Sequence, residues 1–111
     1  MPNKLNNILV EYVNEVSKIF GSTLQQIILY GSYAREDYTE NSDIDIMILV
    51  DMDDEGIKKY FDDVCDLTFE YNLEHDIILS PVIQDINQFN YWLPAIPFYQ
   101  SVAREGVVLN G

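Results

Sequence analysis

Apolar residues recur at intervals of three and four between residues 5 and 20, and this spacing predicts an amphipathic helix. Two apolar runs follow the helix, in residues 24–30 and 43–51, and we expect both to be strands. The second run is apolar on both faces beyond Asp45, so it should lie at the centre of a sheet that is covered on both sides. Between the two strands, residues 32 to about 37 predict a short helix.

The middle of the chain predicts a long helix followed by a third strand. An acidic turn at residues 51–55 offers N-cap side chains for that helix. One face of the helix carries Ile57, Tyr60, Phe61, Val64, Thr68 and Tyr71. Residues 74–81 alternate between two faces, which predicts a strand that Pro81 ends near the edge of the sheet.

An aromatic tail closes the sequence. Pro97 suits the first turn of a helix that runs to about Glu105, and residues 107–109 predict an edge strand. We expect most of the tail's aromatic residues to seal the core, with a partner-binding patch as the alternative. The residues concerned are Phe89, Tyr91, Trp92, Pro94, Pro97, Phe98 and Tyr99. The predicted order of elements is α-β-α-β-α-β, in a single domain that spans residues 1–111.

Composition narrows the class of protein. Hydrophobic residues make up 48% of the 111 positions, which excludes a disordered chain and suffices for one core. The formal net charge is −13, and six lysines and arginines are too few to form a nucleic-acid-binding surface. Such acidity suits a basic protein partner or serves solubility alone.

The predicted location is the cytoplasm, without a membrane contact. No apolar run approaches the length of a membrane span, and the first residues carry no signal-peptide pattern. The single cysteine, Cys65, suits a reducing compartment, and its place in a helical pattern predicts an inert, buried thiol.

Candidate chemistry is concentrated in residues 31–51, GSYAREDYTENSDIDIMILVD. Asp43 and Asp45 stand two residues apart on the predicted central strand, so both side chains face the same way, and their repulsion favours a divalent cation between them. Gly31 lets the backbone approach a ligand, and a helix that starts at Ser32 presents free N–H groups to a phosphate. Together these features predict a metal–triphosphate site and phosphoryl or nucleotidyl transfer.

This stretch resembles the Gly-Ser-x10-Asp-x-Asp signature of the DNA polymerase beta-type nucleotidyltransferase superfamily. Nearly the whole chain is similar to the minimal nucleotidyltransferases of bacteria and archaea, including the closing FYQSVAREGVVLNG. Many of these short proteins are encoded beside a HEPN-domain protein and act as its antitoxin. The resemblance implies an α+β nucleotidyltransferase fold, in which helices flank a small mixed β-sheet.

The resemblance also implies roles for the signature residues. Asp43 and Asp45 would bind Mg²⁺, two ions being expected, and the metal would hold the triphosphate of ATP. Gly31 and Ser32 would contact the β- and γ-phosphates, and Arg35, one helical turn further on, would reach the same phosphates. A surface salt bridge with a neighbouring acid is an equal alternative for Arg35.

A third carboxylate completes the catalytic and metal-binding set in the superfamily, on a strand beside the aspartate pair. Asp76 matches it by its place before an apolar run, with Glu74 as the alternative, and would help to activate the incoming hydroxyl. His75 should face away from Asp76 and is left out of the catalytic set. Relatives often have glycine directly after the Ala-Arg pair, where this chain has Glu36. The Glu36 carboxylate must point away from the triphosphate or weaken its binding.

The function implied by the resemblance is that of an antitoxin in a type VII-like toxin–antitoxin pair. AMP would be moved from ATP onto a tyrosine of the HEPN toxin. The small size agrees, since relatives that act on antibiotics or RNA usually carry a further domain for the acceptor. Two alternatives stay open, namely a small-molecule nucleotidyltransferase resembling the aminoglycoside-modifying enzymes and a non-catalytic antitoxin that acts by binding alone. A homo-oligomer and a hetero-oligomer with the toxin are both compatible with the sequence.

Overall fold

The structure, a computed structural model, describes residues 3–39 and 41–110. The predicted domain also includes residues 1–2, 40 and 111, which lie outside the described residues. The helices are α1 (Asn3–Phe20), α2 (Ser32–Arg35), α3 (Asp54–His75), α4 (Ile86–Trp92) and α5 (Pro97–Glu105), with a 3₁₀ turn at Gly21–Thr23. The strands are β1 (Leu24–Tyr30), β2 (Ile44–Val50), β3 (Leu79–Asp85) and β4 (Val107–Val108). In the described ranges, no helix is long and apolar enough to cross a membrane.

The four strands form a mixed sheet in the order β3-β2-β1-β4, which confirms the predicted α+β fold. β1 pairs antiparallel with β2 and β4, and β2 pairs parallel with β3. β2 is therefore central, as its two apolar faces predict, and every residue from Ile46 to Val50 is at most 1% exposed. Because β1 and β2 run in opposite directions, the end of β1 lies beside the start of β2, where Tyr30 pairs with Asp45.

Two separate hydrophobic clusters cover the faces of the sheet. The cluster under α1 and α3 joins buried residues of both helices to alternate residues of β1 and β2. Inside it, the Tyr12 and Thr68 hydroxyls lie 2.8 Å apart, and the Thr68 hydroxyl donates to the Val64 carbonyl at 2.7 Å. Burial raises the pKa of Tyr12 to about 12. The smaller cluster, under α4 and α5, comprises Ile28, Met47, Leu49, Phe89 and Val102.

The third strand lies later in the chain than the sequence predicts, so the prediction of a strand at residues 74–81 is wrong. Helix α3 continues to residue 75 and ends at Asp76, whose φ of 53° is left-handed. The Asn72 side chain accepts from the Leu79 N–H at 2.8 Å and donates to the Leu79 carbonyl at 3.4 Å, which fixes the start of β3. A short polar–apolar alternation does not exclude one more helical turn, and here the helix prevails.

Pro81 does not end β3, contrary to the prediction. β3 is an edge strand, and on an edge the missing N–H of proline costs no ladder bond. Pro81 therefore sits inside the strand, in register with Ile46 of β2.

The tail is less buried than predicted. Of its aromatic and proline residues, all of which the structure describes, Phe89 alone is buried, while Tyr91 is 75% and Trp92 and Phe98 are each 47% exposed. Cys65 is also exposed, so the prediction of a buried thiol is wrong. The helix that starts at Pro97 and the edge strand are confirmed as α5 and β4.

Candidate active site

The predicted glycine–serine turn lies against Asp45, the second member of the aspartate pair, whereas Asp43 is not among the residues that line the adjoining cavity. Gly31 links β1 to α2 with φ 75° and ψ −153°, a conformation that glycine adopts without strain. A Cβ atom at this position would collide with the Asp45 carboxylate, whose Cγ would lie 3.3 Å away. The missing side chain is what lets the backbone of the turn come beside the carboxylate.

Asp43 and Asp45 interact electrostatically at the start of β2. Asp43 is exposed and Asp45 is partly buried. Burial raises the pKa of Asp45, the charge of Asp43 raises it further, and the Arg35 guanidinium lowers it in part. Asp43 and Asp45 thus repel each other, and such carboxylates are suitable ligands for one Mg²⁺ ion, which is usually held by one or two carboxylates together with substrate phosphates.

A cavity of about 360 Å³ opens beside Asp45, within the usual size range of small-molecule sites. β1, the turn, α2 and β2 form one side of it with Tyr30, Gly31, Ser32, Arg35 and Asp45. The other side is a face of α5, which contributes Phe98, Ser101, Val102 and Glu105. Sequence reasoning missed this helical wall, although the three- and four-residue spacing of its members is the pattern of a single helix face.

Arg35 lines this cavity and is held by two acids. Its Nε donates to an Asp37 carboxylate oxygen at 3.1 Å, and its Nη1 lies 3.6 Å from a Glu105 carboxylate oxygen. These contacts, the hydrogen bond to Asp37 foremost, raise the pKa of Arg35. The predicted surface salt bridge is therefore present, and Arg35 nevertheless lies beside Ser32 at the predicted phosphate site.

Asp76 does not join the aspartate pair. It lies at the end of α3 and lines a different cavity, of about 270 Å³, together with Tyr33, Ser42 and Ile44. Ile44 precedes Asp45 on β2, so its side chain points to the opposite face. Within the described ranges, no group of three or more histidine, cysteine, aspartate or glutamate residues is placed to hold a metal ion. The catalytic role of Asp76 stays a prediction.

A serine occupies the strand position next to the aspartate pair. In the parallel register of β2 and β3, Asp45 pairs with Ser80, and paired residues of parallel strands face the same side of the sheet. Glu74, the alternative third acid, lies in α3 rather than on a strand. The expected third carboxylate therefore has no counterpart on β3 beside Asp45.

Glu36 ends α2 in the left-handed conformation, with φ 62° and ψ 26°. Glycine adopts this conformation at little cost, which is a physical reason for the glycine that relatives often have here. The Glu36 side chain is exposed and is not among the residues that line the cavity beside Asp45.

Comparison with known proteins identifies a family for this chain. The family model described as "Nucleotidyltransferase domain" matches residues 9–103. A protein of Methanocaldococcus jannaschii named "Putative protein adenylyltransferase MJ0604" is 37% identical over 99 residues, covering 89% of this chain and 91% of that protein.

Two solved structures share the fold. A Sulfolobus solfataricus protein described as a nucleotidyltransferase superposes with a TM-score of 0.57 at 23% identity, covering 95% of this chain and 78% of that one. A toxin–antitoxin structure with AMP-PNP gives a TM-score of 0.55 at 23% identity, covering 92% of this chain and 73% of that one.

Proposed function

This chain belongs to the nucleotidyltransferase family, and we propose that it transfers AMP from ATP to a tyrosine hydroxyl of a HEPN toxin and thereby acts as an antitoxin. The observation that carries the proposal is the close approach of Gly31 to Asp45. It places the turn proposed to bind phosphate and a carboxylate in the same cavity. The name of the M. jannaschii relative supports a protein acceptor. The toxin–antitoxin structure with AMP-PNP supports a toxin partner and an adenine nucleotide.

In the proposed complex, the triphosphate lies along the turn. Backbone N–H groups at Gly31 and Ser32, together with the Ser32 hydroxyl, would donate to the β- and γ-phosphates. Arg35 would exchange its contact with Glu105 for a phosphate group, which can accept two hydrogen bonds from a guanidinium.

Asp43 and Asp45 would hold Mg²⁺ with the nucleotide. The ion would supply neutralisation of the triphosphate charge and alignment of its oxygens. The two carboxylates fit one such ion, whereas a second ion needs a further ligand, for which Asp76 would have to approach from its place at the end of α3. The prediction of two ions therefore depends on the prediction for Asp76.

The proposed reaction is a single displacement. The tyrosine oxygen would form a bond to the α-phosphorus, the bond between that phosphorus and the bridging oxygen would break, and pyrophosphate would leave. The phenolic proton would pass to Asp76, the carboxylate that the resemblance implies for activation of the hydroxyl. A net charge of −13 favours a toxin surface rich in lysine and arginine.

The test uses ATP labelled at the α-phosphate, magnesium and lysate of the host cell. We expect a labelled protein band with the wild type and a loss of more than about a hundredfold with Asp45→Asn, since the metal site is worth several kcal/mol. We expect Asp45→Asn to remain folded. The pKa of Asp45 is raised in the folded state, so its ionised form destabilises the fold at neutral pH, and asparagine removes this cost.

Asp76→Asn in the same assay tests the third acid. A loss comparable to that of Asp45→Asn would support the catalytic prediction for Asp76, and unchanged labelling would contradict it.

Label in a small molecule alone would favour the small-molecule transferase. Toxin neutralisation that survives Asp45→Asn would favour an antitoxin that acts by binding alone.

A further inference from the structure

Helix α3 carries an apolar row on its solvent side. Phe61, Cys65, Phe69 and Leu73 recur every four residues, so they lie one above another on the helix. Phe61 is 54%, Phe69 64% and Leu73 68% exposed, and Cys65 is exposed as well. The side of α3 that faces the core is a different one, formed by the buried Ile57, Val64 and Thr68.

An acidic row runs directly beside the apolar row. Each apolar member is followed by an acid, and these acids are Asp62, Asp66, Glu70 and Glu74, all of them exposed. Like charges four residues apart on a helix destabilise it. In the part of the chain that the structure describes, no lysine or arginine forms an ion pair with any of the four. A cationic partner would relieve this repulsion.

The apolar row borders a groove between α3 and the edge strand β3. The groove has a volume of about 260 Å³ and includes Phe61, Cys65 and Phe69 from the row together with Pro81 and Ile83 from the strand. Val64, Thr68 and Asn72 of α3 complete its lining. The groove therefore extends the apolar surface from the helix onto the edge of the sheet.

The first part of the β3 edge offers little to an additional strand. The Ile44 N–H donates to the Ile78 carbonyl, so alternate residues of β3 bond to β2 and the intervening ones turn their backbone groups outward. Of these, Leu79 is bonded to the Asn72 side chain, and Pro81 has no N–H to offer. At this part of the edge we therefore expect a partner to bind through side chains rather than by strand addition.

We propose that the α3 surface, formed by the apolar row, the acidic row and the groove, binds a protein helix whose apolar side chains are bordered by lysines or arginines. A second copy of this chain is disfavoured because it would place two acidic rows against each other. Anionic lipid would be repelled for the same reason. A basic, amphipathic helix can pack against the apolar row and pair with the acidic row at the same time.

The α3 surface and the nucleotide cavity lie on opposite faces of the sheet. Val64 of α3 belongs to the cluster on one face, and Val102, which lines the cavity, to the cluster on the other. A bound partner would leave the cavity open, so the inference does not depend on AMP transfer and goes beyond it.

Cys65 supplies the test, since it is the chain's single cysteine and lies in the middle of the apolar row. The probe is a synthetic helical peptide with leucine at every fourth position and lysine after each leucine. At a peptide concentration about ten times Kd, alkylation of Cys65 by iodoacetamide should slow about tenfold. A scrambled peptide of equal charge should leave the rate unchanged, and equal protection by both peptides would overturn the proposal.

Variants separate the contributions of the two rows. Phe69→Ser should weaken peptide binding about tenfold and keep its salt dependence, whereas Asp66→Asn combined with Glu70→Gln should reduce that salt dependence. Val10→Ser on α1 is the matched control, because Val10 is an apolar residue that is 54% exposed, against 64% for Phe69, but lies outside the α3 surface. ATP binding should be unchanged in Phe69→Ser.

Self-association is examined with the same proteins. If sedimentation shows a dimer that Phe69→Ser dissociates, the surface binds a second copy and the proposal is wrong. Equal peptide binding by the wild type and all variants would contradict it as well.

Discussion

The two faces of the sheet differ in how completely they are packed. Under α1 and α3, the hydrophobic cluster is continuous, and the hydroxyls of Tyr12 and Thr68 are paired inside it. Under α4 and α5 the cluster is small, and the sheet opens into the cavity beside Asp45, where Phe98 remains 47% exposed. Burial is thus concentrated on one face, while the other leaves space for a ligand. We expect mutations on the two faces to separate the stability of the fold from the binding of a ligand.

The largest effect should come from neighbouring residues of β2 that face opposite clusters. Ile48 and Met47 are both 0% exposed. We expect Ile48→Ala to lower the free energy of unfolding by about 3–5 kcal/mol, because α1, α3 and the sheet enclose it rigidly. Met47→Ala should cost less, about 2–3 kcal/mol, since the thinner layer above it can collapse into the space. Urea denaturation at neutral pH measures both, and equal losses would show that the two faces stabilise the protein equally.

An intermediate effect is expected from the buried hydroxyl pair. Tyr12→Phe should cost about 1 kcal/mol at neutral pH, because Thr68 keeps its bond to Val64 and only one hydrogen bond is lost. The pKa of Tyr12 rises from 10.0 to about 12 on folding. A raised folded-state pKa stabilises the fold below pH 10 and ceases to do so as the pH rises towards 12.

The pH dependence distinguishes the two faces. Between pH 10 and 12 the wild type should lose about 2–3 kcal/mol more than Tyr12→Phe does, and urea titrations across that range measure the difference. Tyr30→Phe is the control on the cavity face, where burial and, secondarily, Asp45 raise the pKa of a more accessible tyrosine. Parallel curves for the wild type and Tyr12→Phe would contradict the expectation.

The smallest effect on stability should come from the wall of the cavity. Phe98→Ala should lower the free energy of unfolding by no more than about 1 kcal/mol, because the ring is half exposed. The ring lines the cavity, so the same variant should reduce the thermal stabilisation by ATP. Tyr91→Ala, at a site that is 75% exposed and outside the cavity lining, should leave that stabilisation unchanged. If both variants behave alike, Phe98 does not contact the nucleotide.

The sequence predicts the parts of the fold that local periodicity determines. α1, β1, β2 and the start of α5 appear where expected, because each has a long apolar pattern or a specific terminal residue such as Pro97. The start of β3 could not be predicted from periodicity, since the Asn72 side chain fixes it through hydrogen bonds to the backbone of Leu79. Aromatic content likewise indicated burial for the tail, but the cavity face has too little core to enclose it.

The residues of the candidate site also differ in whether local sequence predicts their positions. The positions of Gly31, Ser32 and Asp45 follow from two neighbouring antiparallel strands and the turn after the first, so their spacing suffices to bring them together. The α5 wall and the pairing of Ser80 with Asp45 depend on how distant segments meet in space. Asp76 is assigned from its place before an apolar run, and it lies at the end of α3 beside a different cavity, so its catalytic role stays a prediction.

The contact between Gly31 and Asp45 makes the two positions mutationally interdependent. A side chain at position 31 is excluded by the carboxylate at position 45, so part of the penalty of Gly31→Ala should disappear once Asp45 is shortened to alanine. The order in which a lineage can lose the site is then constrained: the aspartate can change first, whereas the glycine is held in place for as long as the aspartate remains. A relative that retains the glycine but lacks the aspartate would represent an early stage of that loss, and the reverse combination should be rare.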